Sequence, residues 1–106
     1  VLPTRNARNG QVFTKYGPMI IKKECFKEDP MTLDPDMENP ASKRYSRAYI
    51  NHLFKVGEYL AGQVISQHNI WFYLNMVREA RAAIRESRFD EFYETFYKYF
   101  TSNAWN

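Results

Sequence analysis

The chain has little of what many small domains rely on for stability. It holds one cysteine in 106 residues, so no disulfide can form within it, and neither can a Cys-based zinc site or an iron–sulfur cluster. Glycine is scarce at four residues, and no Gly-rich phosphate loop is present. No apolar run approaches the ~20 residues of a membrane helix, and no signal peptide opens the chain. The reading is a soluble, cytoplasmic protein. The length allows one domain, and a chain of this size buries roughly two thirds of its unfolded surface without a disulfide scaffold. The chain also lacks an initial methionine. Val1-Leu2-Pro3 reads as the tail of an apolar strand, so a piece of something larger is expected.

Aromatic residues are plentiful: two Trp, eight Tyr and eight Phe. Charge is modest in total, at +3, but unevenly placed. Residues 1–27 carry Arg5, Arg8, Lys15, Lys22, Lys23 and Lys27 against Glu24 alone. Residues 28–39 carry Glu28, Asp29, Asp34, Asp36 and Glu38 with no positive charge. A basic head beside an acidic loop suits a polyanion surface next to a separate local feature, although ordinary solvated faces suit it too.

The pattern predicts an α+β fragment: a short β-hairpin, an ordered acidic loop, then three helices. Residues 1–10 lack periodicity and end in the Asn9-Gly10 turn signal. Gln11 to Thr14 and Met19 to Lys22 favour strands around Tyr16-Gly17-Pro18. Pro30, Pro35 and Pro40 keep residues 28–42 out of regular structure. Asn39 before Pro40 suits a helix N-cap with proline at the first helical position. One helix is expected over 43–56, with Gly57 as its break. A long helix follows from about Glu58 to Glu86, with an apolar stripe at Ala61, Ile65, Phe72, Met76 and Ala80. Ser87 is expected to cap a last helix, with Asp90 as its acidic N3 partner. There Phe89, Phe92, Tyr93, Phe96, Tyr97 and Phe100 fall on one continuous apolar face that must dock against something.

Few residues point to chemistry. Asp34, Asp36 and Glu38 alternate, but without the turn glycine and terminal glutamate spacing of a calcium loop, so a solvated loop is the reading. His68 lies in the apolar stripe and is expected to be a hydrogen-bonded core residue. No Ser-His-Asp arrangement is present, and Cys25 has no catalytic context. Thr4-Arg5-Asn6-Ala7-Arg8-Asn9-Gly10 stands apart. Two arginines three apart, flanked by Thr and Asn donors, suit phosphate and base-edge contacts to an unpaired nucleic-acid loop. A plain surface loop can carry the same residues.

Taken together, several stretches resemble the C-terminal part of the bacterial tRNA-guanine transglycosylase family, also called queuine tRNA-ribosyltransferase. They are Val1-Leu2-Pro3-Thr4-Arg5 with Arg8-Asn9-Gly10, Phe13-Thr14, Leu33-Asp34-Pro35, Tyr45-Ser46-Arg47-Ala48-Tyr49, and His68-Asn69 followed by Phe72-Tyr73. The resemblance runs through essentially the whole chain. It implies the final segment of a (β/α)8 barrel: residues 1–10 as a tRNA-reading loop, 11–42 as hairpin and zinc-type insert, and 43–106 as helices. It implies an enzyme that exchanges guanine for a queuosine precursor base at the tRNA wobble position, through an aspartate that attacks the ribose C1′. In the family pattern that aspartate sits in an Asp-Cys pair just before the Val-Leu-Pro-Thr-Arg strand end. No catalytic residue is therefore expected within these residues, and the chain alone is expected to be inactive. Thr4, Arg5 and Arg8 match the loop that reads the uridines flanking the target guanine. Tyr45, Tyr49 and His52, at i, i+4 and i+7, match an aromatic cluster at the family's homodimer contact; ordinary intramolecular packing accounts for the same trio.

One departure from the family is large. The family holds its insert with zinc on Cys-x-Cys-x-x-Cys and a later histidine, and those positions are Met37, Asn39, Ser42 and His68 here. A thioether, an amide and a hydroxyl cannot replace three thiolates, so no structural zinc and no other cofactor are expected. The ordering that zinc supplies in such motifs, on the order of 10 kcal/mol, must come from elsewhere. Pro35, Pro40, burial of Met37 and the Asn39 cap are the candidates. The alternative to the enzyme reading is a stand-alone, non-catalytic tRNA-binding or dimerisation module. An upstream reading frame through an Asp-Cys pair would separate the two.

Overall fold

A computed structural model describes residues 7–35, 37, 39–102 and 105. Its elements are strands β1 (Gln11–Thr14) and β2 (Gly17–Ile20), a 3-10 turn (Glu24–Phe26), and helices α1 (Pro40–Arg44), α2 (Arg47–Lys55), α3 (Tyr59–Arg85) and α4 (Phe89–Phe100). At 1.5 Å per residue the 27-residue α3 is about 40 Å long, and β1, α1, α2 and α4 pack along it.

The hairpin is antiparallel, with Val12 opposite Met19, Phe13 opposite Pro18 and Thr14 opposite Gly17. The second strand begins at Gly17, two residues earlier than its β-favouring side chains suggest. Pro18 is tolerated because it occupies a pair that exchanges no ladder bonds, so its missing N–H is not called on. Thr14 closes the turn: its Oγ1 donates to the Gly17 carbonyl at 2.8 Å and accepts from the Tyr16 N–H at 3.2 Å. Val12 and Met19 are fully buried on one face. With Ile21, Leu33, Ile50 and Ile65 they form the centre of the core.

The expected helix over 43–56 is two helices. Tyr45 is extended (φ −120°, ψ 146°), and Ser46 starts α2 by accepting the Tyr49 N–H on its hydroxyl at 3.0 Å. Thr32 and Ser46 also form a β-bridge, which no continuous helix would allow. Asn39 does occupy the N-cap of α1 with Pro40 following, but its side chain makes no capping bond and is used elsewhere.

The ends of α2 and α3 share one geometry. After α2, the Gly57 N–H bonds the Phe54 carbonyl and the Glu58 N–H bonds the Leu53 carbonyl; after α3, Ser87 and Arg88 do the same to Ile84 and Ala83. Both are Schellman closures, with Gly57 at φ +76° and Ser87 at φ +57°. Ser87 therefore ends α3 instead of capping α4, whose N-cap is Arg88 without a side-chain bond. The α4 stripe also divides. Phe92, Phe96 and Phe100 are half-buried, and Phe72 of α3 packs against Phe96 and Phe100 at 6.5 and 6.3 Å. Phe89, Tyr93 and Tyr97 are exposed. The single docking face read from the spacing is two rows, because α3 is one helix wide and covers only one of them.

The C-terminus returns to the hairpin. Trp105 donates its indole N–H to Thr14 Oγ1 at 3.0 Å, packs on Phe26 at 5.9 Å, and lies under the Arg47 guanidinium at 4.9 Å. A Cβ on Gly17 would meet the Phe100 carbonyl oxygen at 2.8 Å, and its φ is +111°. Gly17→Ala is therefore expected to destabilise the chain by roughly 2 kcal/mol or more. Ser87→Gly, which relieves a left-handed serine, is expected to stabilise it by up to about 1 kcal/mol. Urea denaturation of both variants measures the two signs side by side.

Candidate nucleic-acid loop and a buried hydrogen-bonded centre

Of the predicted tRNA-reading residues, Thr4 and Arg5 lie outside the described residues, while Arg8 is exposed. Its backbone is fixed from both sides. Ala7 beside it is fully buried, the Gly10 N–H bonds the Ala7 carbonyl at 3.0 Å, and the Ile21 N–H bonds the Gly10 carbonyl at 3.0 Å. Gly10 is left-handed (φ +78°), and an added Cβ would meet the Phe54 ring at 3.2 Å. The turn is thus pinned between hairpin and α2. Arg8 borders an open groove of about 700 Å³, whose other side carries Tyr59, Gln63, Ser66 and Gln67 of α3. Glu58 also lines the groove, so it offers a guanidinium, a carboxylate, two amides and a hydroxyl, a mixed set of donors and acceptors that suits the edge of an unpaired base.

Tyr45, Tyr49 and His52 are not on one helix, since Tyr45 precedes α2. Its ring nevertheless stacks on Tyr49 at 5.4 Å and 26°, with the Arg44 guanidinium 5.7 Å above Tyr45. Tyr49 and His52 are exposed. The motif around them has a structural part that its spacing does not reveal. Arg47 is buried, pairs with Asp29 at 3.0 Å, and sends its backbone N–H to the Met31 carbonyl at 2.7 Å. Ala48 N–H bonds the Asp29 carbonyl at 2.9 Å. Arg47 and Asp29 thus tie the acidic loop to α2. The only forewarning in the sequence is an Arg inside an otherwise apolar helix start.

Met37, Asn39, Ser42 and His68 meet in space and are all buried. His68 Nδ1 stands 2.6 Å from Ser42 Oγ, and its Nε2 stands 2.7 Å from the Phe13 carbonyl oxygen. Asn39 Nδ2 donates to Ser42 Oγ at 3.2 Å, and Met37 Sδ lies 3.5 Å from that oxygen. A carbonyl only accepts, so Nε2 carries the ring proton. Neutral His68 then accepts the Ser42 hydroxyl proton on Nδ1. The neighbouring Asn69 continues the pattern: its Oδ1 accepts the Phe13 N–H at 3.0 Å, and its Nδ2 donates to the Gln11 carbonyl at 2.8 Å. Two consecutive side chains of α3 therefore satisfy the outer edge of β1. No group of three His, Cys, Asp or Glu side chains able to hold a metal occurs among the described residues.

The fold and centre define a segment that stitches a hairpin and an insert to a long helix. A family model described as Queuine tRNA-ribosyltransferase matches residues 1–102. Queuine tRNA-ribosyltransferases of Fusobacterium nucleatum, Sorangium cellulosum and Caulobacter vibrioides are 50%, 48% and 47% identical over 96, 93 and 96 residues, or 91%, 87% and 91% of this chain. The chain spans about a quarter of the length of these relatives (26%, 24% and 26%). It belongs to the queuine tRNA-ribosyltransferase family.

Burial holds the His68 pKa below its ordinary 6.5, against smaller opposing effects from the Phe13 hydrogen bond and the Asp34 charge. The unfolded chain takes up this proton near pH 6.5 and the folded chain resists it. The His68 contribution to stability is therefore complete above that pH and declines as the pH falls below it. Urea midpoints compared between about pH 7 and 5 are expected to fall more steeply for the native chain than for His68→Gln, which has no titrating ring.

Proposed function

We propose that this chain is the C-terminal portion of a tRNA-guanine transglycosylase, the enzyme that exchanges guanine for a queuosine precursor base at the tRNA wobble position. The observation that carries the reading is the family match over residues 1–102, together with relatives at 47–50% identity along nearly the whole chain. In this role the segment supplies binding and architecture. Arg8, held on a pinned turn at an open groove, reaches the anticodon loop along with Thr4 and Arg5. Arginine suits the task because its planar fork pairs with phosphate oxygens or a base edge in two places. Tyr45, Tyr49 and His52 form the contact with a second copy, where a stacked tyrosine pair with one exposed member offers a rigid aromatic surface. The whole enzyme is proposed to be a cytoplasmic homodimer built on a (β/α)8 barrel.

Base exchange needs a nucleophile that attacks the ribose C1′ as guanine leaves, and in the family pattern that aspartate falls before Val1. The 106 residues therefore hold and orient RNA without breaking the glycosidic bond. Incubated alone with substrate tRNA and labelled guanine, the chain is expected to give no incorporation; turnover would refute the division of labour. Binding of an anticodon stem-loop should weaken more than about tenfold in Arg5→Ala plus Arg8→Ala. The slope of log K against log salt should then flatten by about 1.4, the equivalent of two single-strand phosphate contacts. An unchanged slope would show that the arginines do not pair with phosphates, and unchanged affinity that they do not touch the RNA.

A further inference from the structure

We infer that this chain closes its insert without metal, by a directional hydrogen-bond relay seated in the geometry of a four-ligand site. Four side-chain heads from three stretches of chain converge on one point: Met37, Asn39, Ser42 at the start of the helical region, and His68 from the middle of α3. Measured from Ser42 Oγ, the other three heads lie at 2.6 Å (His68 Nδ1), 3.2 Å (Asn39 Nδ2) and 3.5 Å (Met37 Sδ). Ligand atoms around a tetrahedral zinc with bonds of about 2.3 Å stand about 3.8 Å apart. Ser42 Oγ is therefore at least as close to each of the other three heads as the ligands of one ion are to one another.

The chemistry of the donors then decides against the ion. The amide nitrogen of Asn39 has no lone pair to give, the Met37 thioether is neutral, and the Ser42 hydroxyl spends its proton on His68. The one good ligand atom, Nδ1, is taken by that hydroxyl at 2.6 Å, a separation with no space for an ion between them. The other ring nitrogen is pinned on the Phe13 carbonyl at 2.7 Å. Proton positions follow along the whole path. Asn39 donates to Ser42, Ser42 donates to His68, and His68 donates to the β1 backbone. Each of these bonds runs in the direction its chemistry permits, with Ser42 Oγ both accepting and donating, so the relay joins insert, helix and hairpin as a bound cation would.

The chain, expressed in zinc-supplemented medium, is expected to purify without stoichiometric zinc and to show a Tm that EDTA leaves unmoved. Its His68 15N spectrum should report a neutral ring protonated at Nε2. One zinc per chain that disappears in His68→Ala, a chelator-sensitive Tm, or a ring protonated at Nδ1 would each overturn the inference. The geometric half is read separately in Met37→Cys/Asn39→Cys/Ser42→Cys. This triple variant should take up one Co²⁺ per chain with thiolate-to-cobalt absorption, and adding His68→Ala should weaken that uptake by more than about tenfold. A triple variant that binds no Co²⁺ would show that the four heads are not placed as ligands.

Discussion

The imidazole of His68 is the part on which the rest of the structure depends. It is fully buried and bonded on both nitrogens, to the Ser42 hydroxyl and to the Phe13 carbonyl. It joins the insert to the hairpin by hydrogen bonds, beside the apolar packing of Leu33 with Val12 and Met19 in the core. A buried ring nitrogen left without a partner costs about 1–3 kcal/mol, so both bonds are obligatory once the ring is inside. Asn69 extends the same logic by one residue, which turns a single point of contact into a line along β1. Phe72, one turn beyond His68, adds an apolar continuation, with its ring 6.1 Å from Phe13. Residues 68, 69 and 72 of one helix thus carry hydrogen-bonded and apolar contact to the same strand.

A second tie works on the other side of the molecule. Arg47 pairs with Asp29, stacks over Trp105 and fixes the loop at Met31 through its backbone. Trp105 in turn reaches Thr14 of the hairpin turn. The pair is part-buried and backed by backbone bonds, so its worth lies in fixing geometry; the net energy of such pairs is small against their desolvation. Trp105, loop and hairpin are thereby held to α2 without a large apolar surface of their own. This matters for Arg8, because its turn hangs between the same hairpin and α2.

Much of this was legible in the residues, for physical reasons that can be named. The interior position of His68 followed from its place between Ile65 and Phe72 at helical spacing. Gly57 marked a helix end because a left-handed residue is needed there. Ser46 and Ser87 were harder, since serine is at home at either kind of helix boundary. Ser46 begins a helix because it is itself paired with Thr32 in a β-bridge, which breaks the chain out of the preceding helix at Tyr45, a tertiary effect that no local pattern contains. Ser87 ends one because the Schellman bonds to Ala83 and Ile84 override its preference for a cap. The α4 stripe misled for a related reason: periodicity tells which residues share a face, and the neighbour's width decides how much of it is covered. The partnership of Arg47 with Asp29 spans a proline-rich loop whose path periodicity does not encode.

The edges of the hairpin carry a consequence of their own. On β1 the outward N–H and C=O of Phe13 are already occupied by Asn69 and His68. On β2 the residue opposite Phe13 is Pro18, which has no N–H to offer on its outward side. A two-stranded ribbon normally presents two open templates for strand addition. Here one is sealed at Phe13 by side chains and the other is interrupted by a proline. The ribbon is therefore poorly suited to recruit a stray strand from another chain, and the buried imidazole that organises the insert also protects against edge-to-edge aggregation.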